Sequence, residues 1–139
     1  THSNIFLNEN NFFKVKDYKT SFEIVSIFLI MIIRINLLEV NRNKYLKVND
    51  ELISLFIADL DDSLRNKGIG DMSIGKYVKS YVKKFYFRLS RFPENIEEID
   101  DVAFLNYFNN FDFISNKSKE EASMVFLKVF NKIKASYNL

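Results

Sequence analysis

Between Glu23 and Arg34 runs Ile24-Val25-Ser26-Ile27-Phe28-Leu29-Ile30-Met31-Ile32-Ile33, apolar at nearly every helical angle. No other feature constrains the fold as much. A helix over residues 22–40 built on this run has no face to offer water, so it must be surrounded. Lipid would surround it only if it crossed a bilayer. Ten residues reach about 15 Å at 1.5 Å per residue, against a hydrocarbon core of roughly 30 Å. The run is too short to span, and the expectation is a helix buried in a protein core. Partial insertion into a membrane interface is the remaining lipid option.

The rest of the chain has to supply that enclosure. A length of 139 residues with 47% apolar content suits one compact domain with a continuous core. Three Gly and one Pro leave too few turn residues for a sandwich or barrel, which points to an all-α chain. Residues 1–20 show no sustained period and read as an irregular arm whose Phe6, Phe12 and Phe13 pack on the body; residues 21–139 read as the helical domain. Because the chain starts at Thr1 rather than Met, a segment removed upstream is expected to be possible, and sorting is not legible.

Over residues 49–67, Leu52, Ile53, Phe56, Ile57, Leu60 and Leu64 recur at helical spacing, with Asn49 or Asp50 as cap, Asp50 and Glu51 in the first turn and Gly68 as the left-handed stop. A connector of residues 68–72 leads to a helix over 73–92, capped by Asp71 or Ser73 and stopped by Pro93. Its core stripe is Ile74, Val78, Tyr81, Val82, Phe85, Leu89 and Phe92. Gly75 is expected to let a neighbouring helix approach closely. Helices over 96–111, with Glu97, Glu98, Asp100 and Asp101 near the start, and 119–136 bring the total to about five.

Much of the catalytic repertoire is missing. There is no Cys, and the single His is His2 in the N-terminal arm, which removes thiolate chemistry and leaves little for His-based acid-base or metal sites. Residues 70–76 satisfy the GxxxxGK spacing of a phosphate loop. Tyr77 stands where the magnesium hydroxyl belongs, Asp71 adds a negative charge, and a helix rather than a strand precedes the loop. Asp59, Asp61 and Asp62 have no other ligand type nearby in sequence and read as solvated or paired acids. The expectation is a non-enzyme with no catalytic residues, cofactor, metal or small-molecule substrate.

Helix 73–92 is the most polarised element, with Lys76, Lys79, Lys83, Lys84, Arg88 and Arg91 expected opposite its apolar stripe and no acid among them. That face suits an acidic protein surface, anionic lipid or RNA phosphate, or is simply solvated. Tyr86 and Phe87 lie nearer the basic side and can anchor an interface. From the residues alone the reading is a helical interaction domain. The alternative is a nucleic-acid-binding module using helix 73–92, although a net charge of +2 is small for that.

Leu55-Phe56-Ile57-Ala58-Asp59-Leu60-Asp61-Asp62-Ser63-Leu64-Arg65, followed by Gly68-Ile69-Gly70-Asp71-Met72-Ser73-Ile74-Gly75-Lys76 and the pairs Phe85-Tyr86 and Arg88-Leu89, resembles the ubiquinol-cytochrome c chaperone family. The family's apolar first helix resembles residues 22–35, and Tyr77 departs from the family pattern, which carries a basic residue there. The resemblance implies an all-helical, non-enzymatic chaperone that holds newly synthesised cytochrome b for assembly of respiratory complex III. It further implies a small helical co-chaperone and peripheral contact with the inner membrane or ribosome. The expected location is mitochondrial in a eukaryote, and cytoplasmic or peripheral to the inner membrane in a bacterium. The candidate partner-binding residues are Asp59, Asp71, Lys76, Lys79, Lys83, Tyr86 and Arg88, with the two aspartates orienting the linker.

Overall fold

The structure, a computed structural model, describes residues 17–38, 42–94 and 99–137. Among these residues there are five α-helices and no strand: α1 (Tyr18–Asn36), α2 (Arg42–Asn66), α3 (Asp71–Arg91), α4 (Asp101–Phe108) and α5 (Lys119–Tyr137), with a 3-10 turn at Asn116–Ser118. The all-α expectation and the helix count hold. Phe6, Phe12, Phe13, Val40, Ile96, Glu97 and Glu98 lie outside the described residues. The chain's contacts divide into two compact units: α1 through Ile35 with the chain from Arg91 onward, and Asn36–Ser90.

In the first unit, α1 starts at Tyr18, ahead of the expected Phe22, because Asp17 caps it. The Thr20 amide donates to Asp17 Oδ1 at 2.9 Å and the Ser21 amide to Asp17 O at 3.0 Å. The apolar run is enclosed as expected, with Ile24, Ile27, Ile30, Met31, Ile33 and Ile35 buried. Among the described residues no helix is long and apolar enough to cross a membrane. The run's one hydroxyl is satisfied locally, since Ser26 Oγ donates to Phe22 O at 2.8 Å. Glu23, which bounds the run in sequence, is itself buried.

The rest of this unit is built on rings. Phe28 of α1 meets Phe126 of α5 with centroids 5.7 Å apart, and Phe126 meets Phe108 of α4 at 5.1 Å. Phe92, just past α3, packs edge-on against Phe104 and Tyr107 at 5.7 and 5.2 Å and also meets Phe130. Phe108 and Phe111 continue the cluster at 4.9 Å. Edge-to-face contacts of this kind add to the area that each ring buries. Helix α4 is shorter than the expected 96–111: it begins only at Asp101, where Asp100 is extended and its side chain accepts from the Ala103 amide, and it stops before Asn109. Lys119 Nζ, donating to Asn109 O at 3.0 Å, ties the start of α5 to that stop.

In the second unit, α2 begins at Arg42 rather than Asn49. Residues 43–48 are mostly exposed and carry no apolar period, which hid this first stretch of helix. Asn49 is therefore not a cap. It is buried within the helix, where its Oδ1 accepts from Asn36 Nδ2 at 2.8 Å, and Asp50 and Glu51 fall beyond the first turn. The far end of α2 follows expectation. Gly68 has φ +97°, its amide donates to Arg65 O at 2.9 Å, and the Ile69 amide reaches Leu64 O at 3.2 Å. These are the paired bonds of a Schellman turn. Leu60, Leu64, Ile74 and Phe85 are buried, and Phe56 meets Phe85 at 5.0 Å.

Gly75 departs from expectation: it is exposed, and a Cβ there would meet nothing within 4 Å, so no close helix approach requires it. Gly75→Ala is therefore expected to raise stability by roughly 0.5–1 kcal/mol, read as a higher denaturation midpoint with an unchanged slope. At the cap of α1, the Thr20 amide holds the Asp17 carboxyl below its ordinary range. The contribution is thus complete at neutral pH and lost as pH falls through that lowered value. Asp17→Ala should cost about 1 kcal/mol at pH 7, and its thermal-melt deficit against the parent chain should vanish in strong acid.

Candidate functional site

The start of α3 is determined by the turn before it. After Gly68 and Ile69, the Gly70 carbonyl takes both the Ser73 and Ile74 amides at 3.0 Å, so the helix is under way by Asp71. The Ser73 and Ile74 amides are thus used within that first turn, and the GxxxxGK spacing lies mostly within a helix instead of a loop.

Asp71, expected as a cap, is the first helical residue, and its carboxylate accepts from Arg65 Nη1. Arg65 Nε also donates to Asp61 Oδ1 at 2.6 Å, one turn back on α2. One guanidinium thus links the last turn of α2 to the first of α3. The hydrogen bonds it donates, to Asp61 first and Asp71 second, raise its pKa. Arg65 is the partner of Asp71 that the sequence reading missed. The Asp61-to-Arg65 spacing of four was the available signal.

Along α3, steps of 100° place Met72, Lys76, Lys79, Lys83, Tyr86 and Phe87 within an arc of about 100°, opposite Ile74, Tyr81 and Phe85. All six are exposed; Met72 is fully so, Tyr86 46% and Phe87 51%. From Met72 to Arg91 the helix carries no acid. Among the described residues no ion pair engages Lys76, Lys79 or Lys83. Four of the candidate residues, Lys76, Lys79, Lys83 and Tyr86, therefore share one solvent-facing surface.

Two others do not. Arg88 was expected on the basic side, yet it is 8% exposed. It sits seven residues after Tyr81 and three after Phe85, which puts it on the core side at the edge of the apolar stripe. A long aliphatic stem makes such burial feasible for arginine, and counting charge without angle obscured it. Asp59 is exposed on α2 and takes no part in the Arg65 clamp. Met72 went unremarked in sequence because an apolar residue next to a turn reads as part of the connector. Among the described residues no group of three or more His, Cys, Asp or Glu is placed to hold a metal ion.

A family model described as Ubiquinol-cytochrome C chaperone matches residues 13–107, which takes in α1, α2, α3 and α4 as far as Tyr107. No curated protein and no solved structure matches the chain.

The split between exposed lysines and buried arginine is testable by stability alone. Lys79→Glu with Lys83→Glu should leave helicity unchanged and the unfolding free energy within about 0.5 kcal/mol, whereas Arg88→Ala should cost about 1–3 kcal/mol through lost packing. Chemical denaturation followed by circular dichroism distinguishes them.

Proposed function

The chain belongs to the ubiquinol-cytochrome C chaperone family, and from that premise we propose that it assists assembly of respiratory complex III by holding newly made cytochrome b. The observation that carries the reading is the extent of the family match, residues 13–107, which includes the buried helix, the Arg65-clamped turn and the lysine face as one continuous stretch. A holding role needs a folded scaffold with an exposed docking surface and no reaction chemistry. The lysine face of α3 supports that role. The protein works as a non-enzymatic chaperone at the respiratory membrane, mitochondrial or bacterial, with a small helical co-chaperone as a further partner.

Lys76, Lys79, Lys83 and Tyr86 form the docking surface in this proposal, while Asp71 sets the direction of α3 through Arg65. Asp59 belongs to the adjoining α2 surface, and Arg88 contributes by holding α3 in its packing rather than by contact. The nucleic-acid reading loses support from the same geometry. Burial of Arg88 thins the cationic face, and Phe85 is 1% exposed, unable to stack on a base.

The deciding experiment is affinity isolation of the tagged chain from gently solubilised membranes of the source cell. Cytochrome b should be enriched over other membrane proteins, and Lys79→Glu with Lys83→Glu should reduce that enrichment several-fold with folding intact. Recovery of RNA with no cytochrome b would overturn the assignment.

A further inference from the structure

We propose that the exposed face of α3 binds the anionic headgroup layer of a membrane. The helix lies along the surface there, with Lys76, Lys79 and Lys83 on lipid phosphates and with Met72, Tyr86 and Phe87 entering the interface. The proposal rests on the reading of this face as the docking surface and adds the lipid plane against which it holds the client.

The pattern of the face carries the argument. Its charge is of one sign, with no acid from Met72 to Arg91, so it complements a negatively charged plane along its length. The apolar side chains stand at the two ends, Met72 before the lysines and Tyr86 and Phe87 after them, about 22 Å apart at 1.5 Å per residue. A protein hot spot has the opposite layout, with apolar anchors at the centre and charge around the rim. Lysine is also depleted in protein interfaces, where arginine is enriched, and the arginine nearest this face in sequence, Arg88, is turned into the packing. Lysine stems suit a headgroup layer, because they lie along an apolar boundary while the ammonium stays among phosphates. Just outside the arc on its two sides are Gly75 and Ser80, both small and exposed.

RNA shares the phosphate chemistry but not the rest. A fully exposed methionine at one end of the face adds nothing to base stacking and gains from an acyl-chain boundary. A chaperone whose client is a membrane protein would by this contact be held where the client emerges.

The test is sedimentation of the purified full chain with vesicles, which contain no client. Vesicles of equal parts phosphatidylglycerol and phosphatidylcholine should carry the chain down, and vesicles of phosphatidylcholine alone should not. Lys79→Glu with Lys83→Glu should weaken binding to the anionic vesicles at least about tenfold, since one lysine at such a surface is worth roughly fivefold. Phe87→Ser with Met72→Ser should weaken it several-fold at unchanged charge. Absence of binding to anionic vesicles, equal binding to both vesicle types, or indifference to either pair of substitutions would overturn the proposal. If the lysine variant loses cytochrome b in affinity isolation while vesicle binding is unchanged, the face belongs to the client protein and the lipid assignment falls with the chaperone reading intact. Vesicle binding as expected in a chain that recovers no cytochrome b would separate the two in the other direction.

Discussion

Enclosure of the apolar run in α1 is the constraint on which the first unit depends. A helix with Ile24, Ile27, Ile30, Met31, Ile33 and Ile35 all buried cannot be covered by a single neighbour, because these residues point around much of its circumference. The chain answers with large rings rather than many small side chains. Phe28 reaches Phe126, and from there a connected set of rings through Phe108, Phe104 and Phe92 fills the unit. Rings cover much area for few rotatable bonds, so a short α4 of eight residues can still contribute Phe104, Tyr107 and Phe108.

The second unit is organised by its turn instead. Gly68 ends α2 in a left-handed residue, Leu64 and Arg65 carbonyls take the two returning amides, and Arg65 then holds Asp61 and Asp71 on either side. Backbone and side chain thus specify the same reversal. Since Asp71 is the first residue of α3, the turn also fixes which side of α3 faces outward, and the lysine face follows from that phase. Exposed ion pairs add little stability by themselves, so the clamp matters mainly for direction.

These two devices place a one-sign surface on a chain with small net charge. The excess is local: helix α3 keeps Lys76, Lys79 and Lys83 on one arc, where among the described residues no ion pair engages them, while the acids of α2 include Asp61, which is committed to Arg65. A surface of this kind can be attractive to a negative partner without making the protein as a whole basic.

The all-α class, the burial of α1, the glycine stop after α2 and the core stripe of α3 were legible in the sequence, because each depends on interactions within a few turns of one segment. Periodicity, the special backbone freedom of Gly68 and the scarcity of Gly and Pro are local facts. What tertiary structure alone decided involves partners distant in sequence or choices between helical faces. Asn49 is a buried acceptor rather than a cap because Asn36, far upstream, donates to it. Arg88 is buried rather than exposed because the stripe from Ile74 to Phe92 is wide enough to take in an arginine stem. Gly75 stands open, with nothing within 4 Å of where a Cβ would be. Local pattern fixes what a segment prefers to be, but only the packed chain determines which of its faces is left for a partner.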